Sequence, residues 1–326
     1  MQVHSSVLDL IGNTPMIELK NIRPDLPHRF FAKAEYLNPG GSVKDRICLE
    51  LIEKAEQRGD LKEGGLVIEA TSGNTGIGLA LIAAVKGYGC KIVMPEKMSK
   101  EKIDLIRSFG AEVILTPTGV AADDPRSHYS VAKKLAADTP NSFYANQFHN
   151  PDNFETHYKT TAPEIWQQLD GKVDYLIHGA GTGGTISGCG KFLKEKKPDV
   201  KIVLADPVGS ILHDLFHYKE IREEPKPYLI EGIGEDMLPE NVRFEYIDDS
   251  MQFTDKEAML LCRELLNKEG LFVGPSSAAP LCCAFRIAEK IQEPKNFVTF
   301  LCDNGDRYLS KVFNDDWMRE NHLLEE

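Results

Sequence analysis

The feature that most constrains the fold is a repeated alternation of apolar, β-branched runs with amphipathic runs. GLVIEA at 65–70 is typical of a buried strand, and TGIGLALIAAVKGYG at 75–89 is typical of a helix. Because strands that alternate with helices form parallel sheets with helices on both faces, the chain is predicted to be an α/β protein. The predicted strands are 65–70, 91–96, 112–117, 173–180, 201–206 and 296–303, and the predicted helices are 75–89, 99–111, 185–199, 255–270 and 279–292.

The alternation comes in two series, one around 65–117 and one from 172 onward. A chain of 326 residues is long enough for two domains, each with its own sheet. The stretch 118–160 is poorly periodic and is interpreted as a mobile segment or a crossover between domains. Ligands of open parallel sheets bind beyond the carboxyl ends of the strands. The motifs described below fall at strand-to-helix turns or in loops, where such a site is expected.

Composition excludes several classes of partner. The net charge of −12, without a basic tract, argues against nucleic acid or an anionic membrane as a partner. The seven cysteines are scattered and form no CxxC pair, which argues against a disulfide framework or a zinc site and favours a reducing compartment. The first residues lack the pattern of a signal peptide, and glycines and Lys86 interrupt the most apolar tract. A cytoplasmic protein without a bound metal is therefore predicted.

The loop GAGTGGTISG at 179–188 follows an apolar strand and opens a helix. Its glycines allow a ligand to approach the backbone, and the N–H groups and dipole at the helix start favour a phosphate. The loop also reads as GxGxxG, and Asp206 ends the next strand, which is the pattern of a dinucleotide site. A nicotinamide-dependent dehydrogenase is therefore a competing hypothesis, and a turn without a ligand is a third.

A second polar, glycine-containing turn, EATSGNTGIG at 69–78, also lies between a strand and a helix. Its threonines, serine and asparagine suit a carboxylate, such as that of an amino acid. The alternative is ordinary helix capping, for which serine, threonine and asparagine are the usual residues. Four polar residues among glycines exceed what a cap requires, so a binding site is favoured.

Lys44 lies in NPGGSVKDR, after a glycine-rich turn and before a helix-like run. A cation at the start of a helix interacts unfavourably with the helix dipole, so a lysine at this position suggests a specific function. Two anion-binding turns and one lysine together suggest pyridoxal 5'-phosphate, with the phosphate in one turn and the aldehyde on the lysine. The other turn would then hold the carboxylate of the substrate. An ordinary surface lysine is the alternative for Lys44 taken alone.

At this point the sequence resembles the fold-type II pyridoxal-phosphate enzymes of β-substitution, the family of cystathionine β-synthase and cysteine synthase. The shared motifs, in the order of the family, are IGNTPMIEL (11–19), NPGGSVKDR (38–46), EATSGNTGIGLA (69–80), GTGGTISG (181–188), EGIGEDMLP (231–239) and GPSSAA (274–279). The middle of the chain is more similar to the cystathionine β-synthase catalytic core, and the tail GDRYLSK is more similar to cysteine synthase. The resemblance implies a tryptophan-synthase-β-like fold of two domains. The larger cofactor domain would comprise 1–45 and 152–326, and the smaller mobile domain 46–151.

The resemblance also implies the site residues. Lys44 would form the internal aldimine and move protons, Asn74 would bond the phenolic oxygen of the cofactor, and Ser276 would face its pyridine nitrogen. The phosphate would be bound by Gly181, Thr182, Gly183, Gly184 and Thr185. The substrate would be held by Thr71, Ser72, Gly73, Thr75 and Gln147, with Gly232 in a loop at the entrance.

The implied reaction is β-replacement on L-serine or an activated serine by a thiol, through an aminoacrylate. Cystathionine synthesis with homocysteine is the first hypothesis, and cysteine synthesis from O-acetylserine and sulfide is the alternative. A hydroxyl such as that of Ser276 leaves the cofactor ring neutral, which favours elimination over transamination. The implied assembly is a homodimer.

Four positions depart from the family pattern: Ala278 replaces the more usual glycine, Cys302 and Asp303 stand where a proline commonly precedes Ser or Asp, and Glu235 follows GIG. Asp303 could bring a carboxylate to the ring nitrogen. Glu235 could select a second substrate that carries an ammonium group, or could be a solvated charge at the rim. The histidines His149, His157 and His178 are interpreted as structural.

Overall fold

The computed structural model describes residues 3–121 and 123–325. In chain order the strands are β1 (Met16–Leu19), β2 (Arg29–Lys33), β3 (Leu66–Ala70), β4 (Gly89–Pro95), β5 (Glu112–Thr116), β6 (Ser142–Tyr144), β7 (Tyr175–Gly179), β8 (Lys201–Pro207), β9 (Asp249–Phe253) and β10 (Asn296–Phe300). The α-helices are α1 (Lys44–Arg58), α2 (Asn74–Lys86), α3 (Lys100–Ser108), α4 (His128–Asp138), α5 (Asp152–Thr156), α6 (Ala162–Gln168), α7 (Gly184–Lys196), α8 (Leu212–Tyr218), α9 (Asp255–Glu269), α10 (Pro275–Ala288) and α11 (Asp315–Glu320). A π-helical turn, His157–Thr161, joins α5 to α6.

The chain forms two compact units. The first comprises Met1–Ile11 and Asn38–Asn153, and the second comprises Gly12–Leu37 and Phe154–Glu326. The predicted smaller domain, 46–151, lies within the first unit. Residues 3–11, 38–45 and 152–153, which were predicted to lie in the larger domain, also belong to the first unit.

The first unit is built on a four-stranded sheet in the order β5-β4-β3-β6, and every pair in it is parallel. Helices α1, α2 and α3 cover one face through a core that includes Ile47, Leu51, Ile77 and Ile106. Helix α4 contacts strands β3, β4 and β6 on the other side, where Ala132 is buried. The carboxyl ends of β3 and β6 are neighbours, so the segments that follow these two strands lie side by side.

The second unit contains a six-stranded sheet in the order β1-β2-β10-β7-β8-β9. Strand β1 is antiparallel to β2, and the remaining pairs are parallel. Its core includes Phe30, Phe253, Phe297 and Leu265, all nearly or fully excluded from solvent. Strands β10 and β7 are neighbours, so the loops that follow them leave the same edge of the sheet.

The α/β class with parallel sheets is confirmed, and each predicted strand and helix corresponds to an observed element within a few residues, except that α10 begins four residues earlier than predicted, at Pro275. The stretch 118–160, interpreted as a mobile segment or a crossover between domains, contains regular elements, and the chain passes from the first unit to the second within it, between Asn153 and Phe154. Helix α4, strand β6, helix α5 and part of the π-helical turn lie there. Among the described residues, no helix has the length and apolar character needed to cross a bilayer.

Candidate active site

Three of the helices that carry the motifs begin without a side-chain cap. The N-cap residues of helices α2, α7 and α10 are Gly73, Gly183 and Gly274, which have no side chain to cap the first N–H groups. The N-cap residues of helices α4 and α9, by contrast, are Ser127 and Thr254, whose hydroxyls accept a hydrogen bond from the first turn. Because the first N–H groups of a helix have no partner within the helix, an uncapped start can bind an anion.

Lys44 is the first residue of α1, as the sequence predicts, and its side chain is half-buried. Helix α1 packs closely on α2: the Cys48 thiol donates to the Thr75 carbonyl at 3.4 Å. A Cβ on Gly78 would lie 2.8 Å from the Cys48 sulfur, so this glycine is required for the close approach. The N-terminal halves of the helices headed by Lys44 and by Asn74 are therefore packed against each other.

The predicted carboxylate-binding residues follow β3 and β6. The Gly73 N–H donates to Thr71 Oγ1 at 3.2 Å, so the Thr71 hydroxyl supports the turn itself rather than capping α2. Thr75 Oγ1 donates to Gln147 Oε1 at 2.6 Å, and both side chains are buried. Ser72 is exposed at the tip of the turn. The structure thus brings together Thr71, Gly73, Thr75 and Gln147 within the first unit.

Sequence reasoning missed a buried carboxyl group beneath this turn, that of Glu69 near the end of β3. Glu69 is 0% exposed, and neither carboxyl oxygen makes a hydrogen bond of normal geometry in the described structure. Burial raises the pKa of Glu69 to about 8, although the N–H groups of Gln147 and Asn146 are near enough to favour the ionised form. Glu69 is therefore a neutral acid at neutral pH, next to the turn that carries Gln147.

The glycine loop after β7 is packed against two other segments of the second unit. A Cβ on Gly181 would lie 2.6 Å from the Gly232 carbonyl oxygen. Gly183 has φ +85°, and a Cβ there would lie 2.4 Å from Val242 Cγ2 and 2.6 Å from the Val242 nitrogen. The Gly234 N–H donates to the Ala180 carbonyl at 2.7 Å. Glycine is thus required at 181 and 183, and the loop has one well-defined backbone path.

The loop fits a phosphate group. The uncapped start of α7 offers N–H donors, and the Thr182 and Thr185 side chains are nearly buried beside it. Thr185 Oγ1 lies 3.1 Å from Nε2 of His157, and Nδ1 of that histidine lies 2.9 Å from Thr161 Oγ1. His157 was interpreted only as structural, and no local pattern connects it with a residue 28 positions away.

The dehydrogenase hypothesis required Asp206 to be available to a ribose. Asp206 is 0% exposed, and its Oδ2 accepts the N–H of His213 at 2.9 Å in the first turn of α8. Burial raises its pKa to about 7. The carboxyl group supports the β8–α8 connection and is closed to a ligand, so the GxGxxG pattern lacks its acidic residue.

Ser276 lies in the first turn of α10 and is nearly buried. Asp303 follows β10 and contacts the start of α10. A Cβ on Gly274, the residue before this helix, would lie 2.2 Å from Asp303 Oδ1. Asp303 Oδ2 accepts the hydroxyl of Tyr308 at 2.7 Å. Cys302 donates its N–H to Ser277 Oγ at 2.8 Å. The departures at 302 and 303 thus both contact the start of α10.

The other side chains that sequence analysis considered contribute no further reactive group. All seven cysteines are buried free thiols, and burial raises the pKa of Cys90 and Cys283 to about 12. In the described part of the chain, no cluster of three or more histidine, cysteine, aspartate or glutamate side chains is arranged to hold a metal ion.

The predicted site residues therefore fall into two groups, one in each unit. The first unit carries Lys44, Thr71, Ser72, Gly73, Asn74, Thr75 and Gln147. The second unit carries Gly181, Thr182, Gly183, Gly184, Thr185, Gly232 and Ser276.

The chain is similar to several known proteins over nearly its whole length. Cystathionine β-synthase of Apis mellifera is 47% identical over 326 residues, which is 99% of this chain and 64% of that protein. Cysteine synthase 1 of Neurospora crassa is 41% identical over 96% of this chain and 84% of its own length. The crystal structure of an O-acetylserine dependent cystathionine β-synthase from Helicobacter pylori has a TM-score of 0.87 and 38% identity, and covers 95% of this chain and 99% of that one. The chain thus spans less than two thirds of the length of the animal cystathionine β-synthases that it matches.

The family described as "Pyridoxal-phosphate dependent enzyme" matches residues 7–303, which is most of the chain. The match extends over both compact units and includes each residue assigned above to a phosphate, lysine or carboxylate site. The chain belongs to the family of pyridoxal-phosphate dependent enzymes.

Proposed function

We propose that the protein catalyses pyridoxal-phosphate-dependent β-replacement on L-serine or an activated serine by a thiol, and that homocysteine is the thiol, so that the product is cystathionine. The observation that carries this proposal is the packing of the helix headed by Lys44 against the turn of Thr71–Thr75. This packing supports a site in which the Lys44 amine would lie near a set of donors suited to the carboxylate of an amino acid. The similarity to both cystathionine β-synthases and cysteine synthases supports the same reaction class.

Lys44 and Asn74 would hold the reactive end of one cofactor molecule, Gly181–Thr185 its phosphate, and Ser276 its ring nitrogen. Bound pyridoxal phosphate would supply an aldehyde for Lys44 and for the substrate amine, and an electron sink for charge at the substrate Cα. Asn74 would donate its amide N–H to the phenolic oxygen. The Ser276 hydroxyl carries no charge, so it would leave the ring nitrogen unprotonated and favour loss of a β substituent.

The carboxylate of the amino acid would bind where α2 begins. The uncapped N–H groups of this helix, the exposed Ser72 and the Gln147 amide are the donors. The hydrogen bond from Thr75 Oγ1 to Gln147 Oε1 fixes the Gln147 side chain beside the start of α2. Held in this way, the substrate would present its Cα proton to Lys44, which would remove it and later return a proton to the product.

Glu235 supports homocysteine over sulfide as the thiol. Its side chain is half-buried, and Oε1 lies 3.7 Å from the position of a Cβ on Gly181, next to the phosphate loop. Hydrogen bonds between its backbone and Ser210 hold the residue in place. A carboxylate fixed there would attract the ammonium group of homocysteine, whereas sulfide offers it nothing to bind.

Three further proposals follow from the resemblance: the protein is a cytoplasmic homodimer, the unit that contains 46–151 moves when substrate binds, and Gly232 lines the entrance. The φ of +86° at Gly232, with no atom within 4 Å of a Cβ there, is compatible with a loop that changes conformation.

The test uses the purified holoprotein with two first substrates, L-serine and O-acetylserine, and two thiols, homocysteine and sulfide. Cystathionine formation faster than cysteine formation supports the proposal, and the reverse order favours the cysteine synthase alternative. Glu235→Gln, which keeps the size of the side chain, should raise KM for homocysteine and leave KM for sulfide unchanged. An equal effect on both thiols would remove the role assigned to Glu235.

A further inference from the structure

A buried histidine lies directly behind the phosphate loop. His157 is 0% exposed, and its ring bridges two threonine hydroxyls, with Nε2 at 3.1 Å from Thr185 Oγ1 and Nδ1 at 2.9 Å from Thr161 Oγ1. We propose that His157 is a positioning residue that orients the Thr185 hydroxyl so that its proton points to the cofactor phosphate. This inference rests on the proposed function, because it assumes that the loop at 181–185 binds that phosphate.

The backbone leaves this contact little freedom. His157 begins a π-helical turn, an element that is rare in proteins and often found at functional sites. Helix α7 packs on the turn at Gly188, where a Cβ would lie 2.5 Å from the Phe154 carbonyl oxygen and 3.0 Å from His157 Cβ. The absence of a side chain at 188 thus lets the imidazole reach the first turn of α7.

Counting protons determines the direction of the hydrogen bonds. The Thr185 hydroxyl has one proton, and if that proton is donated to a phosphate oxygen, Oγ1 can only accept from His157. Nε2 must therefore carry a proton, and in the neutral ring Nδ1 must then accept from the Thr161 hydroxyl. The opposite tautomer would take the Thr185 proton for itself and would present only oxygen lone pairs to the anion.

The chain of donors accordingly runs from Thr161 to His157, from His157 to Thr185, and from Thr185 to the phosphate. Its function is to fix a hydroxyl in the orientation that binds an anion before the anion arrives, so that no hydrogen bond has to be broken on binding. A hydrogen bond to a charged group contributes more than a neutral one, and its loss weakens binding by about tenfold or more.

The first measurement is the protonation of the ring in protein labelled with ¹⁵N-histidine, recorded by NMR without cofactor and with pyridoxal phosphate. A proton on Nε2 of His157 in both states supports the proposal. An unprotonated Nε2 in the cofactor-bound protein would overturn it. This readout does not depend on catalysis or on a variant that has to fold.

The second measurement is the dissociation constant of pyridoxal phosphate for a set of variants. Thr185→Val and His157→Leu should each weaken binding by about tenfold or more, and the double variant should be no weaker than either one, because both remove the same hydrogen bond. His157→Gln keeps an N–H donor and should stay within about threefold of the wild type. Thr161→Val should weaken binding, whereas the matched change Thr139→Val, whose hydroxyl donates to the Leu135 carbonyl, should not.

The outcomes separate the two proposals. If the wild-type protein does not bind pyridoxal phosphate, the proposed function fails. If the wild type binds and Thr185→Val binds more weakly, but His157→Leu and Thr161→Val bind as well as the wild type, only the role of His157 fails. Thermal unfolding shows which variants are folded. If His157→Leu is not, Thr161→Val and the NMR measurement decide the matter.

Discussion

Replacement of Gly183 by alanine should destabilise the phosphate loop, and the same replacement at Gly270 provides the reference for the size of the effect. At φ +85°, an alanine costs about 1–2 kcal/mol in backbone conformation alone. The new Cβ would also lie 2.4 Å from Val242 Cγ2 and 2.6 Å from the Val242 nitrogen, and relief of such overpacking costs about 1–3 kcal/mol more. Because a backbone atom is involved, the loop itself has to move.

Gly270 is the matched control. It ends α9 at φ +69°, and no atom lies within 4 Å of a Cβ there, so Gly270→Ala meets only the conformational cost. Urea unfolding should therefore show Gly183→Ala to be less stable than Gly270→Ala by about 1–3 kcal/mol. Titration with pyridoxal phosphate should show weaker binding for Gly183→Ala and unchanged binding for Gly270→Ala. Equal stability and equal cofactor affinity of the two variants would refute the assigned loop geometry.

Two further predictions concern buried and near-buried groups. Burial raises the pKa of Glu69 from 4.5 to about 8 in the folded protein. Between these two pH values the Glu69 carboxyl group is protonated in the folded protein and ionised in the unfolded chain. The free energy of unfolding therefore decreases as the pH rises from about 4.5 to about 8. At 1.36 kcal/mol per unit this loss is on the order of 5 kcal/mol, and Glu69→Gln should remove it. Unfolding free energies measured from pH 5 to pH 8 should fall less steeply in the variant, and parallel curves would contradict the assignment. Ser276→Asp should lower β-replacement and raise side reactions, because a carboxylate would keep the ring nitrogen protonated. An unchanged ratio of cystathionine to keto acid products would disprove that reason.

Much of the scaffold could be predicted because its signals are local. Strands such as β3 and β8 contain short apolar runs, Leu66–Ile68 and Ile202–Ala205, and glycine marks the start of α2 and α7. Helix α4 escaped prediction because only one of its eleven residues, Ala132, is fully buried, so its sequence has no strong apolar face. The π-helical turn has no simple hydrophobic period by which it could be recognised.

The parts of the site that could not be predicted depend on contacts between distant segments. His157 meets Thr185 only because α7 packs on the π-helical turn at Gly188. Asp206 matched a dinucleotide pattern by its spacing, and only its burial against the first turn of α8 shows that it supports the fold. Asp303 likewise reaches Gly274 across 29 positions, as a consequence of how β10 and α10 pack.

The proposed reaction depends on Lys44 as the residue that carries the cofactor. Its most direct test is borohydride reduction of the purified holoprotein, followed by mass spectrometry of the digested chain. A phosphopyridoxyl group is expected on the peptide that contains Lys44, and none is expected in Lys44→Ala protein that is folded by circular dichroism. A label on a different lysine, or a reduced holoprotein with no label at all, would contradict it.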